Sequence, residues 1–271
     1  MTVALQPVAS DPWWERFFDE DFAALWLHDD DPAEQRRRTE GLLRVLELGA
    51  GQWLFDQCCG VGRVAVPLVA RGVNLLAVDS AAAYVDRARA RCEALPPATR
   101  GSFHIALGDA FTYAPTRLCD AAINWYTSFG YVHDDTRNLR MLRAAYGALQ
   151  PLGRFALDYP DMERVRAEFR PLTERRRETA DGTFVALREA RLDETRQMLV
   201  DRWTFTSPHG ETRVAAGETR LFSREQLREL LARAGFEVLR EVAPDEVGYA
   251  PDAGRCIWLA RRPAHEGGRA G

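Results

Sequence analysis

Residues 52–80 read QWLFDQCCGVGRVAVPLVARGVNLLAVDS. An apolar strand pattern at 52–57 leads into a turn that carries Gly60 and Gly62, and an apolar helical segment follows before a second strand pattern at 73–80. A strand, a glycine turn, a helix and a further strand make up the βαβ unit of a parallel sheet. This segment therefore predicts an α/β domain.

The same alternation continues toward the C-terminus. Strand patterns at 102–109, 119–128 and 153–159 alternate with helical segments. The continuous apolar run at 119–128 is typical of a strand that is buried on both faces of a parallel sheet. With two further strand patterns near the C-terminus, the sheet is expected to have seven strands.

The pattern changes on both sides of this core. Residues 11–48 are helical in pattern, whereas segments 183–192, 197–206 and 211–222 alternate polar and apolar residues as antiparallel strands do. We therefore predict an N-terminal helical lid at 1–48, a cofactor-binding core at 49–160, an antiparallel β insertion at 161–222, the rest of the core at 223–262 and a disordered tail at 263–271. The insertion could form the far wall of an acceptor pocket or the surface of a homodimer.

The composition argues against a polyanionic partner. The chain has 36 basic and 40 acidic side chains, which give a net charge of -4. No surplus of positive charge is available to hold a nucleic acid by counterion release. We therefore expect the partner to be a small molecule and not a nucleic acid.

Cysteine usage and the N-terminal sequence bear on the compartment. The five cysteines show neither a CxxC pair nor histidines at zinc spacing, so they are expected to be reduced thiols. No secretory signal pattern and no run of roughly 20 apolar residues is present. The acidic run at 29–31 precedes Pro32 and is typical of a helix cap rather than of a metal site. We expect a cytoplasmic protein with no membrane partner and no metal.

Polar residues follow three successive strands. Asp79 ends the second strand pattern 23 residues after Asp56, a spacing that suits a carboxylate accepting hydrogen bonds from both ribose hydroxyls of a nucleotide. Asp109 ends the third strand pattern, where its side chain could accept a bond from an adenine amino group. These strand ends are predicted to converge with the glycine turn on one nucleoside.

The motifs DxxCGxGR, VDS, GDA and INWYTSFGY occur in this order between about residues 40 and 160. Together they resemble the class I S-adenosylmethionine-dependent methyltransferases, and in particular a bacterial small-molecule branch with a TSFGY-type stretch after strand four. The resemblance implies a Rossmann-like three-layer sandwich with a seven-stranded, mostly parallel sheet, and S-adenosyl-L-methionine as cofactor. Cys58 departs from the family, which often has glycine or alanine there. The resemblance assigns Cys59, Gly60, Gly62 and Arg63 to the turn under the methionine, Asp79 to the ribose, Ser80, Asp109 and Ala110 to the adenine, and Asn124 and Trp125 to the methionine side.

Other interpretations of the glycine turn stay open. LELGAG at 46–51 looks like a similar turn, but its Glu47 lies 32 residues before Asp79, so a helix end is expected there. An NAD-dependent dehydrogenase would have a third glycine where this chain has Val64 and Ala65. A protein that binds S-adenosylmethionine without turnover is a further alternative.

Aromatic residues indicate the class of acceptor. Their faces attract a sulfonium cation and stack on a flat acceptor, although those of the first helix could serve only to fix it to the core. We expect methylation at nitrogen or carbon of a planar heteroaromatic metabolite, such as an indole-like or pteridine-like compound of natural-product biosynthesis, with O-methylation of a phenol as the alternative. The residues predicted to bind this acceptor are Trp13, Trp14, Phe18, Trp26, Tyr126, Phe129 and Tyr131.

An acceptor with an acidic proton would need a general base. His28, just after the aromatic lead-in, and Tyr159, at the end of the fifth strand, are predicted as catalytic residues by position. Asp158 and His133 are the other candidates.

Overall fold

The strands of the protein form two sheets in a computed structural model that describes residues 12–28 and 31–264. Seven strands make a central sheet, and four make a smaller antiparallel sheet. In chain order the strands are β1 (Trp53–Gln57), β2 (Asn74–Asp79), β3 (Phe103–Leu107), β4 (Cys119–Asn124), β5 (Leu149–Pro160), β6 (Leu172–Thr179), β7 (Gly182–Asp193), β8 (Met198–Thr206), β9 (Thr212–Arg220), β10 (Glu237–Val242) and β11 (Arg255–Arg261).

The central sheet runs in the order β3-β2-β1-β4-β5-β11-β10. Strands β1 to β5 are parallel to one another. Strand β11 runs antiparallel to both of its neighbours, β5 and β10. The predicted seven-stranded, mostly parallel sheet is confirmed. The strand order reverses between β1 and β4, and ligands of open α/β sheets bind at the carboxyl end of such a switch point.

Helices cover both faces of the central sheet and complete three layers. The helices are α1 (Trp14–Phe17), α2 (Glu20–Trp26), α3 (Pro32–Leu46), α4 (Ala65–Val69), α5 (Ala82–Glu93), α6 (Asp135–Gly147), α7 (Met162–Ala167) and α8 (Arg224–Ala234), with a 3₁₀ helix at Pro244–Val247. One face of the sheet packs against α3, α4 and α5, and the other packs against α6 and α8. No helix among the described residues combines the length and the apolar character that crossing a membrane requires.

The lead-in to the sheet is broken where side chains cap the helices. Asp19 accepts a hydrogen bond from the Phe22 amide at 3.1 Å, so a new helix starts there, within a segment whose pattern the sequence showed as a single helix. Asp31 accepts from the Ala33 amide at 2.8 Å and caps α3. Glu47 follows α3 with a φ of 51°, which confirms that LELGAG is a helix end.

The smaller sheet, in the order β6-β7-β8-β9, confirms the antiparallel insertion and adds an edge strand to it. The sequence LTERRRET of β6 has almost no apolar residues, so it lacks the alternation of polar and apolar residues that would predict a strand. The sheet contacts α1 and α2. A Cβ at Gly217 of β9 would lie 2.9 Å from the Trp13 ring, so this glycine lets α1 dock closely. Most of the tail predicted at 263–271 lies outside the described residues.

Candidate functional site

A cavity of about 310 Å³ lies between the carboxyl ends of β1 to β4 and the helices α1 and α2. Its floor comes from the turns that follow these four strands, and its cover comes from aromatic side chains. The residues predicted to bind the cofactor that line it are Cys59, Gly60, Arg63, Asp79, Ser80, Asp109, Ala110 and Trp125.

Asp79 joins the first two of these turns. One carboxylate oxygen accepts a hydrogen bond from the Gly60 amide at 2.7 Å, and the other accepts from the Ala81 amide at 2.9 Å. Burial raises the pKa of Asp79, and these backbone donors oppose the rise. Each oxygen keeps a further lone pair, so the side chain can accept two hydroxyl groups from the cavity.

Asp56, at the end of β1, also lines the cavity and is only 3% exposed. Burial, and next the charge of Asp79, raise its pKa to about 8. Two carboxyl groups thus share a poorly hydrated space, which favours a cationic ligand. The sequence interpretation used Asp56 only to measure a spacing; its place at the head of the glycine turn was the signal that it belongs to the site.

The two glycines of the turn have different roles. Gly60 has a φ of 54°, and a Cβ on it would meet no atom within 4 Å, so the turn leaves room for a ligand there. A Cβ on Gly62 would lie 2.7 Å from Val66 and 3.4 Å from Ala88. Gly62 therefore serves close packing of the turn against α5 and is not among the described residues that line the cavity, so its contact with the cofactor stays a prediction.

Of the two predicted residues at the end of β4, Trp125 lines the cavity and Asn124 does not. Asn124 is fully buried, donates to the Gln57 side chain at 3.2 Å and is not among the described residues that line the cavity, so its contact with the cofactor stays a prediction. Trp125 lines the cavity and is 3% exposed. Its indole N–H is buried and has no hydrogen-bond partner within the described part of the chain.

Arg63 joins the glycine turn to the cover. Its guanidinium donates to the Trp26 carbonyl at 3.0 Å and to the Tyr126 hydroxyl at 3.3 Å. It also lies 4.5 Å from the centre of the Tyr126 ring. Arg63 therefore contacts Trp26 on the helical side of the cavity and Tyr126 on the strand side.

Aromatic side chains form the cover. Two predicted acceptor residues do not reach the cavity: Trp13 donates its indole N–H to the Tyr131 carbonyl at 3.0 Å, and Phe129 stacks on Phe222 in the core with ring centres 5.7 Å apart. Phe22 and Phe111 reach it and were not predicted. The full aromatic lining is Trp14, Phe18, Phe22, Trp26, Phe111, Trp125, Tyr126 and Tyr131, with Tyr84 beside Asp79.

The predicted general bases lie elsewhere. Tyr159 is fully buried, donates its hydroxyl to the Arg220 carbonyl and is not among the described residues that line the cavity, and burial raises its pKa, so this geometry does not support its predicted role as a base. His28 is half-buried and His133 is exposed. Neither histidine is among the described residues that line the cavity. Asp158 is buried among hydrogen-bond donors below the end of β4.

Tyr159→Phe should leave methyl transfer within about twofold of the wild-type rate and lower the free energy of unfolding by about 1 kcal/mol, because one buried hydrogen bond is lost. Urea denaturation and initial rates on the same preparations measure both quantities. A large loss of rate at unchanged stability would restore Tyr159 as a catalytic residue.

No group of three or more His, Cys, Asp or Glu side chains that could hold a metal ion occurs in residues 12–28 and 31–264. Asp31 acts as a helix cap, and the other two aspartates of the acidic run at 29–31 lie outside the described residues.

Solved structures share this architecture. The CcbJ methyltransferase from Streptomyces caelestis superposes with a TM-score of 0.70 at 20% identity, over 92% of this chain and 95% of that one. An S-adenosylmethionine-dependent methyltransferase from Clostridium acetobutylicum gives 0.71 at 15% identity, over 92% and 98%. A sugar N-methyltransferase from Streptoalloteichus gives 0.64 at 20% identity, over 97% and 99%. At these identities the likeness concerns the fold.

Sequence comparison identifies the family. A search of curated proteins found no match. The family model described as methyltransferase domain matches residues 32–241, which is most of the chain and includes every strand end that lines the cavity. The chain belongs to the methyltransferase domain family.

Proposed function

We propose that the protein transfers a methyl group from S-adenosyl-L-methionine to a nitrogen atom of a small, ring-containing metabolite. The observation that carries this proposal is one cavity in which the buried carboxyl group of Asp56 and the carboxyl group of Asp79 adjoin a wall of aromatic rings.

The residues on the strand side fit the cofactor. Asp56 and Asp79 face a cavity that favours a cation, and the cofactor carries a sulfonium and an ammonium group. Asp79 keeps lone pairs for the ribose hydroxyls, and Asp109, which also lines the cavity, would accept the adenine amino group. Trp125 would line the methionine side, and the space above Gly60 admits the methionine chain. When bound, the cofactor supplies an electrophilic methyl group, and the protein has to position the nucleophile and exclude water.

The choice of nitrogen follows from the ionisable groups around the cavity. Burial raises the pKa of Tyr131, and the carboxyl of Asp56 interacts with Asp79. A phenol must lose its proton before or during attack and a ring carbon must lose its proton after the methyl group has been added, whereas a neutral amine or ring nitrogen attacks with its lone pair and can leave as the methylated cation. The described lining offers no histidine for such a proton. The likeness to a sugar N-methyltransferase supports the same choice.

The aromatic cover supports a ring-containing acceptor. Trp14, Phe18, Phe22 and Trp26 come from the first two helices, and Tyr131 comes from the loop after β4. Such faces stack on a planar heteroaromatic ring and tolerate the positive charge that a methylated nitrogen gains. The TSFGY-type stretch supports the small-molecule branch of the family and a role in natural-product biosynthesis.

Mass spectrometry of products tests the proposal. The protein is incubated with the cofactor and with matched ring amines, phenols and aliphatic amines, and each product is fragmented to locate the added methyl group. We expect methylation of ring amines. Products from phenols alone would favour the O-methyltransferase, and tight cofactor binding with no product across the panel would favour a binding protein without turnover.

Gly217→Val should separate acceptor binding from cofactor binding. The added side chain displaces the Trp13 ring, now 2.9 Å from the position of a Cβ, and with it the helix that carries Trp14. We expect the acceptor KM to rise about tenfold while cofactor affinity stays within about twofold. Ala216→Val, on the exposed face of the same strand, is the control. Equal KM values for the two variants would contradict the role of the first helices as a cover.

A further inference from the structure

The turn after β4 has a strained backbone. Tyr126 and Thr127 have φ values of 57° and 64°, so two successive non-glycine residues are left-handed. This region is unfavourable for side chains with a Cβ and most unfavourable for a β-branched residue such as threonine. A glycine at either place would form the turn with less strain, so surrounding contacts must hold it.

A buried cluster supplies those contacts. One carboxylate oxygen of Asp158 accepts from the Tyr126 amide at 3.0 Å and from the Tyr249 hydroxyl at 2.7 Å. The other oxygen accepts from Nε of Arg255 at 2.7 Å, and a second nitrogen of Arg255 donates to the Thr127 hydroxyl at 3.0 Å. Asp158 is fully buried, and the Arg255 side chain is 15% exposed. We call Asp158, Tyr249 and Arg255 the clamp.

The clamp touches the turn that walls the cavity. The Trp125 and Tyr249 rings lie nearly parallel, with 9° between their planes and 6.2 Å between their centres. Tyr126, whose amide is bonded to Asp158, lines the cavity and accepts a hydrogen bond from Arg63. The orientation of the Trp125 and Tyr126 rings, which line the cavity, therefore depends on the clamp.

We propose that Asp158, Tyr249 and Arg255 are positioning residues for methyl transfer: they hold the strained turn so that Trp125 and Tyr126 face the bound cofactor. The inference rests on the proposed function. A buried ion pair is weak evidence for stability, because apolar residues of similar volume often replace one without loss. In this protein the ion pair orders the wall before the ligand arrives. The Asp158 carboxylate fixes the Tyr126 amide, and the Arg255 guanidinium fixes the Thr127 side chain.

Calorimetry with S-adenosylhomocysteine, the demethylated cofactor, tests the clamp without an acceptor. Asp158→Asn should weaken binding about 50-fold and Tyr249→Phe about fivefold, because each loosens the wall. Asp161→Asn is the matched control: it alters an aspartate that also pairs with an arginine at 2.7 Å and should stay within about twofold. Thermal unfolding shows whether each variant is folded. Tyr249→Phe, which removes one hydroxyl, decides the case if Asp158→Asn does not fold.

Rescue separates positioning from a structural role. Thr127→Gly relieves backbone strain but removes the hydroxyl that Arg255 holds, so by itself it should weaken binding about threefold, whereas added to Asp158→Asn it should recover at least about fivefold of the lost affinity. Wild-type affinity in both clamp variants, or affinity losses that Thr127→Gly leaves unchanged, would overturn the inference while the proposed function stands. No heat from the wild-type protein would instead overturn the proposed function, and the inference with it.

Discussion

Asp79→Asn is expected to weaken S-adenosylmethionine binding by about 100-fold, equivalent to about 3 kcal/mol. The carboxylate accepts the amides of Gly60 and Ala81 with different oxygens. An asparagine must turn its NH₂ group toward one of these donors, so the turn is disrupted and the charged acceptor for the ribose is lost.

Equilibrium dialysis with labelled cofactor measures this loss. Asp86→Asn is the control, because Asp86 lies on the exposed surface of the helix that follows β2 and pairs with Arg89. Binding by Asp79→Asn within about twofold of that control would show that the end of β2 does not hold the ribose.

Asp56→Asn is expected to stabilise the ligand-free protein at alkaline pH. Burial raises the pKa of Asp56 to about 8 from its ordinary 3.8, so the folded state holds a proton that the unfolded chain releases across this interval. The free energy of unfolding therefore falls as pH rises from about 4 to about 8. Asparagine carries no such proton, and its advantage should be greater at pH 8.5 than at pH 5 by on the order of 4 kcal/mol.

Urea denaturation of both proteins at the two pH values gives this difference directly. A constant offset between wild type and variant would mean that Asp56 is ionised in the folded state. The same substitution should weaken cofactor binding, because the cation favours the ionised carboxylate. Wild-type binding near pH 7 should therefore release a proton from Asp56, which calorimetry in buffers of different ionisation enthalpy detects, and the variant should not show this release.

The strand ends could be predicted because local patterns determine them. Parallel strands bring their carboxyl ends to one edge, so residues that follow successive strand patterns, such as Gly60, Asp79 and Asp109, meet there whatever the rest of the chain does. The seven strands themselves follow from apolar runs separated by helices.

Side-chain direction could not be predicted in the same way. Asp158 and Tyr159 are neighbours on β5, yet successive side chains point to opposite faces. Asp158 therefore bonds to the turn after β4, while Tyr159 enters the core and bonds to Arg220. The bond from Asn124 to Gln57 could not be predicted either, because Gln57 belongs to another strand.

Long-range packing decided the remaining differences. Trp13 is held by β9, about 200 residues away in the chain, so the pattern of the first helix could not show that Trp14 and Phe22 face the cavity while Trp13 does not. The polar edge strand β6 is stabilised by pairing with β7, which a single-strand pattern does not reveal.

Titration calorimetry of the wild-type protein with S-adenosylhomocysteine, and separately with NAD, the ligand of the alternative dehydrogenase interpretation, provides the decisive test. The geometry of Gly60, Asp79, Asp109 and Trp125 predicts one site per chain that binds the demethylated cofactor and gives no heat with NAD. Heat with NAD alone, or with neither ligand, would contradict the assignment of this cavity to S-adenosylmethionine.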